Sequence, residues 1–361
     1  MFAYPTFSNN NYPFASTKPL ITHPPPVESS VKDDGSFVFT NYKTHDHVKS
    51  NIPHWQLRNL IRCPSADTVM RPFHDALHAY NTKTGVDEPI LTDLPFTPTA
   101  FDVGHGYVAL AGQRGMAMVK DLTGDWSAVF TTGPYINNSI TLSKPNGEVR
   151  VTVCNNNQTV SVYAVPSMKR VATIKLEVAI NNTSVSPDGR HMLLTGDNGQ
   201  VYLFEIDPMS GDYTEKSSYQ VSDEPTLSCA WNASSDTFAV TSQDGFVSVY
   251  RLGKSEPICR VGSTESRKTR KAARTVQFTH GPLDLLIYAE HVSNINIIDT
   301  RTWESRQVVR LAPHDMDYHI AGMSLSADNR TLFVGLEEGL VEIALDASSR
   351  RRFATPSVRM F

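Results

Sequence analysis

Short β-branched runs separated by Gly, Asn and Asp turns recur along this chain every ~40–45 residues, and no other feature limits its fold so strongly. The clearest unit is 177–221. It reads Ile180-Asn-Asn-Thr-Ser-Val-Ser, then the turn Pro187-Asp188-Gly189, then His191-Met-Leu-Leu-Thr-Gly, then Gln200-Val-Tyr-Leu-Phe-Glu-Ile-Asp207. Residues 222–262 and 312–345 repeat this strand–turn–strand–turn–strand order. Looser copies fill 95–133, 136–176 and 263–311. A first copy spans 55–92, with strands expected at Leu57-Arg-Asn-Leu-Ile, Thr68-Val-Met and Leu77-His-Ala-Tyr. One such unit is a small sheet with two apolar faces, which it cannot bury alone. Stacked radially, each face packs on its neighbour, and closing the ring protects the last edges. The repeats therefore predict seven blades over residues 54–349. Which terminus supplies the closing strand is not readable from them.

Composition agrees with a large core: 40% of the 361 residues are apolar and 19% are charged. The formal net charge of −4 gives no general attraction to nucleic acid or to an acidic membrane. The start of the chain shows no basic segment leading into an apolar run, and no stretch is long and apolar enough to span a bilayer. Cys63, Cys154, Cys229 and Cys259 form no C-x-x-C pair and read as reduced packing residues. A cytoplasmic or nuclear location is the expectation. The sequons at Asn137, Asn157, Asn181, Asn232 and Asn329 are then incidental. Residues 1–53 are rich in Pro, Asn, Ser and Thr and read as a disordered arm. Residues 350–361 read as a tail.

The repeats resemble the WD-repeat family. The resemblance rests on Gly-bearing turns and on strands that close with Asp, as in Val119-Lys120-Asp121, Phe204-Glu-Ile-Asp207 and Ile297-Ile298-Asp299. It implies an all-β, seven-bladed, WD40-like β-propeller, although no blade carries the Trp-Asp pair itself. A narrower likeness lies in the sixth unit, around Asp284-Leu285-Leu286 within about 274–305. This segment looks like a short fungal domain of unknown function whose bearers are WD-repeat propellers. One of those bearers serves as substrate receptor of the GID (glucose-induced degradation) E3 ubiquitin ligase and captures proteins by their N-terminal residues. The resemblance thus implies a non-catalytic receptor that recognises N-terminal degron peptides. A general scaffold or nuclear assembly factor is the alternative. Asp284-Leu285-Leu286 itself reads as core, with the leucines packing and Asp284 fixing a turn.

No nucleophile elbow, P-loop, zincin or dinucleotide motif is present, so neither an enzymatic activity nor a cofactor is expected. His74 and His78 have metal-like spacing, but on a strand they stand ~13 Å apart. His45 and His47 read as part of the solvated arm. The basic run 267–274 reads as a loop able to meet an acidic partner segment.

Proteins or peptides are the expected partners, with no specific nucleic acid and no membrane. Propellers bind at the channel mouth, where loops meet on a rigid scaffold. Two near copies lie there, Ile136-Asn137-Asn138-Ser139 and Ile180-Asn181-Asn182-Thr183, 44 residues apart. Asn137, Asn138, Asn181 and Asn182 would form either a ring of peptide-binding amides or a repeated piece of turn chemistry. Arg274, Glu290, His291, Tyr318 and His319 complete the expected mouth, with Glu290 offering the charge an N-terminal ammonium needs. In the tail, Val358, Met360 and Phe361 would either dock a ligase scaffold or fray after a last strand at 352–355.

Overall fold

The computed structural model describes residues 20–21, 28–266, 269–348 and 350. Seven antiparallel sheets are arranged radially, each with strand a innermost and strand d at the rim. Blades two to six run from Pro98–Gly104 to Arg306–Arg310 with four antiparallel strands each in the simple order a-b-c-d, and Leu20–Ile21 adds a parallel strand outside strand d of blade four. Blade three shows the pattern: a Asn137–Ser143, b Arg150–Asn155, c Thr159–Ala164 and d Arg170–Lys175. In blade six the strands are a Ala273–Phe278, b Leu285–Glu290, c Asn294–Asp299 and d Arg306–Arg310.

The apolar runs follow from position within a blade. Strands b and c lie between two neighbouring blades and are covered on both faces, so every residue of Leu285–Glu290 and Asn294–Asp299 is buried. Rim strands have one wet face and alternate, as Ser127–Thr131 does. The a–b turns carry their own fastening. In blade four the Ser186 hydroxyl bonds Asp188 and receives the His191 amide at 2.9 Å, and Gly189 takes φ 72°. Blade seven repeats it with Ser326, Asp328 and Asn329 at φ 55°. Asp284 likewise fixes a left-handed turn (φ 51°), while Leu285 and Leu286 are fully buried. His74 sits in the turn before the strand Ala76–Asn81 that holds His78. Among the described residues, no group of His, Cys, Asp and Glu is placed to hold a metal, and no helix is long and apolar enough to cross a membrane. Burial pushes the thiols up, to about 12 at Cys63 and Cys154 and about 11 at Cys259.

The ends of the ring depart from the sequence reading. Blade seven takes strands a, b and c from Ile320–Leu325, Thr331–Leu336 and Leu340–Ala344, but its rim strand is Lys43–His45. The N-terminal side therefore closes the ring. Residues 28–53, expected to be part of a disordered arm, run across blades five to seven. Ser29 donates to the Arg260 carbonyl at 2.7 Å, Gly35 to the Arg306 carbonyl at 2.9 Å, and Phe39 to the Ala344 carbonyl at 3.0 Å. Low apolar content concealed this because the segment borrows a core instead of building one: Val38 and Val48 are buried against blades six, seven and one. His45 is no solvated tail residue either. It is 5% exposed, and its ring bridges Glu342 of blade seven (3.0 Å) and Tyr80 of blade one (2.8 Å). Blade one also differs from expectation. Leu57-Arg-Asn-Leu-Ile forms no ladder, because the Leu60 amide bonds across to Ala321 of blade seven (3.0 Å), leaving the Arg62–Met70 bridge as the inner pairing.

Candidate functional site at the channel mouth

Strand a of six blades begins with the same irregularity. One extra residue interrupts its pairing with strand b: Thr99, Asn138, Asn181, Leu227, Arg274 and Ala321 in blades two to seven. The first five of these line one cavity at the end of the channel, together with Leu57, Arg58, Asn182 and Ser228. Three of them fasten adjacent blades. Thr99 Oγ1 donates to the Asn137 carbonyl (2.9 Å), Asn138 Nδ2 to the Ile180 carbonyl (3.0 Å) and Asn181 Nδ2 to the Thr226 carbonyl (2.9 Å). In each case the acceptor is the first strand residue of the next blade, which would otherwise be an unpaired buried carbonyl.

The hydrogen bonds place three of the four Asn side chains within the fold. Both amide hydrogens of Asn138 and Asn181 are spent, on Asn156 and Asp197 as well as on the neighbouring blade. Asn137 is fully buried, bonded to Thr132, Met116 and Asn155. Asn182 is half-buried in the lining, where its Oδ1 receives the Cys229 amide. Asn137, Asn138 and Asn181 thus hold blades together and present no donors to a ligand, while Asn182 stays in the cavity wall.

Glu290 is also misplaced by the expectation. It is fully buried, and its carboxylate accepts from the Thr264 amide and hydroxyl (both 2.8 Å), Asn294 (2.9 Å) and Asn296 (3.0 Å). No ammonium can reach it. Tyr318 is partly buried on the core of blades six and seven, with its backbone held by Ser293. Val358, Met360, Phe361 and the segment 352–355 lie outside the described residues, as do Lys268 and its neighbour Arg267 of the basic run.

Arg274, His291 and His319 do meet, around a residue the sequence reading passed over. Arg58 donates to the His291 carbonyl (3.1 Å), to His319 Nδ1 (3.2 Å) and to the Trp55 carbonyl (3.1 Å). The Arg274 guanidinium lies 5.9 Å from the centre of the Trp55 ring and donates to Gln243 (2.8 Å). His54 folds back on the chain, its Nδ1 accepting from the amides of Gln56 and Leu57. Trp55 itself is 65% exposed.

The mouth is consequently cationic. Burial first, and Arg58 second, bring Arg274 down to about 10. Burial, then Arg274, Arg58, Lys271 and His319, hold His291 down to about 4. His54 is lowered by burial, then by Arg274 and Arg58, against the opposing pull of Asp197. Such a histidine makes the fold acid-sensitive. The unfolded chain takes up its proton near pH 6.5, the folded chain only near 4, so between those values the unfolded state binds more protons and stability falls as pH falls. The melting temperature is expected to drop from pH 7 to pH 5, and H291Q to flatten that drop when the two are melted side by side; parallel slopes would contradict it.

A fold of seven blades with a fastened inner ring defines the chain as a β-propeller, a class that commonly serves as a protein-interaction scaffold. Residues 271–310, which contain all four strands of blade six, match the family described as "Uncharacterised protein domain (DUF2415)". The chain is similar to the uncharacterized protein C4G3.03 of Schizosaccharomyces pombe, 26% identical over 314 residues, covering 82% of this chain and 89% of that protein. It is also similar to the uncharacterized protein YLR149C of Saccharomyces cerevisiae, 25% identical over 223 residues, or 51% of this chain and 30% of that longer protein.

Proposed function

We propose that the protein is a non-catalytic interaction propeller that receives a peptide segment of a partner at this channel mouth. One observation carries the reading: Arg58 and Arg274 are buried in the wall of a small cavity lined by residues of five blades, and the exposed Trp55 ring lies 5.9 Å from the Arg274 guanidinium. Buried aromatic and arginine anchors are what protein-binding hot spots are built from.

The particular role we infer is that of a substrate receptor of a GID-type ubiquitin ligase, at work in the cytoplasm or nucleus. The sixth-blade likeness supports it. The Asp284-Leu285-Leu286 core of that likeness is a packing element, however, so it argues for descent and not for a binding surface. Recognition of an N-terminal amine finds no support at Glu290. The carboxylates that act on the mouth are Asp197, upon His54, and Glu337, upon Arg58. In this reading the tail around Val358, Met360 and Phe361 docks the ligase. Deleting 355–361 is expected to abolish co-purification with ligase subunits while leaving the melting temperature unchanged. Undiminished association would overturn the receptor role and leave the propeller as a general scaffold.

A further inference from the structure

Buried and half-buried arginines elsewhere in this protein face carboxylates. Arg62 meets Asp102 at 2.7 Å, Arg71 meets Asp87 at 2.8 Å, Arg301 meets Asp284 at 2.7 Å and Arg306 meets Asp33 at 2.6 Å. Arg58 and Arg274 are more buried than most of these, at 9% and 6% exposed, yet among the described residues neither pairs with a carboxylate. Their partners are carbonyls, an imidazole and the Gln243 amide oxygen. The Nε of each has no hydrogen-bond partner, nor does His291 Nδ1. Of the other charges near them, Lys271 is engaged with Asp317 (3.2 Å) and Asp197 with Asn181 (2.8 Å), while the exposed Glu337 acts on Arg58 from a distance without bonding it. Two buried guanidinium groups served by one exposed carboxylate, Glu337, which acts on Arg58 and not on Arg274, are costly unless something else supplies the charge.

We propose that the mouth seats an oxyanion, a carboxylate or phosphate carried on a peptide segment of the partner, between Arg58 and Arg274. Trp55 covers the residue next to it. The planar fork of a guanidinium suits both oxyanions, and the bond to either is strong because it is charge-assisted and partly desolvated. The exposed indole beside the seat favours a peptide over a free ion. It offers a flat apolar face that a bare anion would not use, and its backbone carbonyl already holds Arg58 in place. This inference rests on the peptide-binding reading above and gives it a chemistry.

The test uses the full chain and three labelled pentapeptides, acetylated and amidated at their ends, with a central Glu, phosphoserine or Gln between apolar residues. Fluorescence anisotropy is expected to show the Glu or the phosphoserine peptide binding about tenfold or more tighter than the Gln peptide, with affinity falling as salt rises. Whichever acid binds better names the source of the oxyanion. R58Q and R274Q should each lose about tenfold or more of that binding, and the exposed R330Q none. Inorganic phosphate should displace the labelled peptide from the wild-type chain, a measurement that needs no variant to fold. Equal binding of the Gln peptide, undiminished binding by folded R274Q, or no binding of either acid by the wild-type chain would overturn the proposal. A partner protein captured equally by wild type and R274Q would remove the oxyanion seat while leaving the interaction reading intact.

Discussion

A chain that begins at residue 54 is expected not to fold into a propeller at all. The lost segment carries the rim strand Lys43–His45 of blade seven, whose ladder pairs Lys43 with Glu342 and His45 with Leu340. It also carries the His45 bridge from Glu342 to Tyr80, which hydrogen-bonds both sides of the seam between blades seven and one. Phe37, Val38 and Val48 would leave the core with it. Each such side chain is worth about 1.5–3 kcal/mol on burial. Whole domains hold only about 5–15 kcal/mol, so removing these three and a strand exhausts most of the margin. Removing strand d also bares strand c as an open edge, inviting aggregation. Expression of 54–361 beside the full chain, followed by size-exclusion chromatography and circular dichroism, decides it. A monomeric β-rich product with an unchanged melting temperature would show that the ring closes without its N-terminal strand. A milder version, H45A, should lower stability by about 2–4 kcal/mol in denaturant titration, because Tyr80 and Glu342 each lose a partner.

The sequence made the blades visible because burial on two faces forces strands b and c into unbroken apolar runs, as in Leu285-Leu-Ile-Tyr-Ala, with a turn motif at each end. Those signals are local and repeat, so their period survives without any tertiary knowledge. Closure was concealed for the opposite reason. Lys43-Thr44-His45 has no pattern of its own and becomes a strand only because Leu340–Ala344 offers an unpaired edge. The Asn copies show a finer limit. In sequence Asn137 aligns with Asn181, but the interrupting residue is Asn138 in one blade and Asn181 in the next. The structural equivalents are offset by one, and only the hydrogen-bond register reveals it. Arg58 was unreadable because it sits among Leu57, Asn59 and Leu60 like any strand residue. Its meaning comes from His291 and His319, more than 230 positions away.

Substituting Glu290 tests whether that carboxylate belongs to a binding site or to the scaffold. In the scaffold account E290A unpairs four donors at once: the Thr264 amide and hydroxyl, and the side-chain amides of Asn294 and Asn296. These join the loop after blade five to strands b and c of blade six, in a place water does not reach, since Glu290, Asn294 and Asn296 are 0%, 6% and 0% exposed. Leaving buried donors unpaired is among the few single changes able to cost about 3–5 kcal/mol. E290Q keeps the volume but turns one acceptor oxygen into a donor facing two donors, so it should cost about half as much. Urea titration of the three proteins is expected to give midpoints in the order wild type, E290Q, E290A. If Glu290 instead served a ligand's ammonium, both variants would keep the wild-type midpoint and lose only partner binding. That outcome would require the carboxylate to turn outward, away from all four of its present donors, and would reopen the mouth to a cationic end of a peptide.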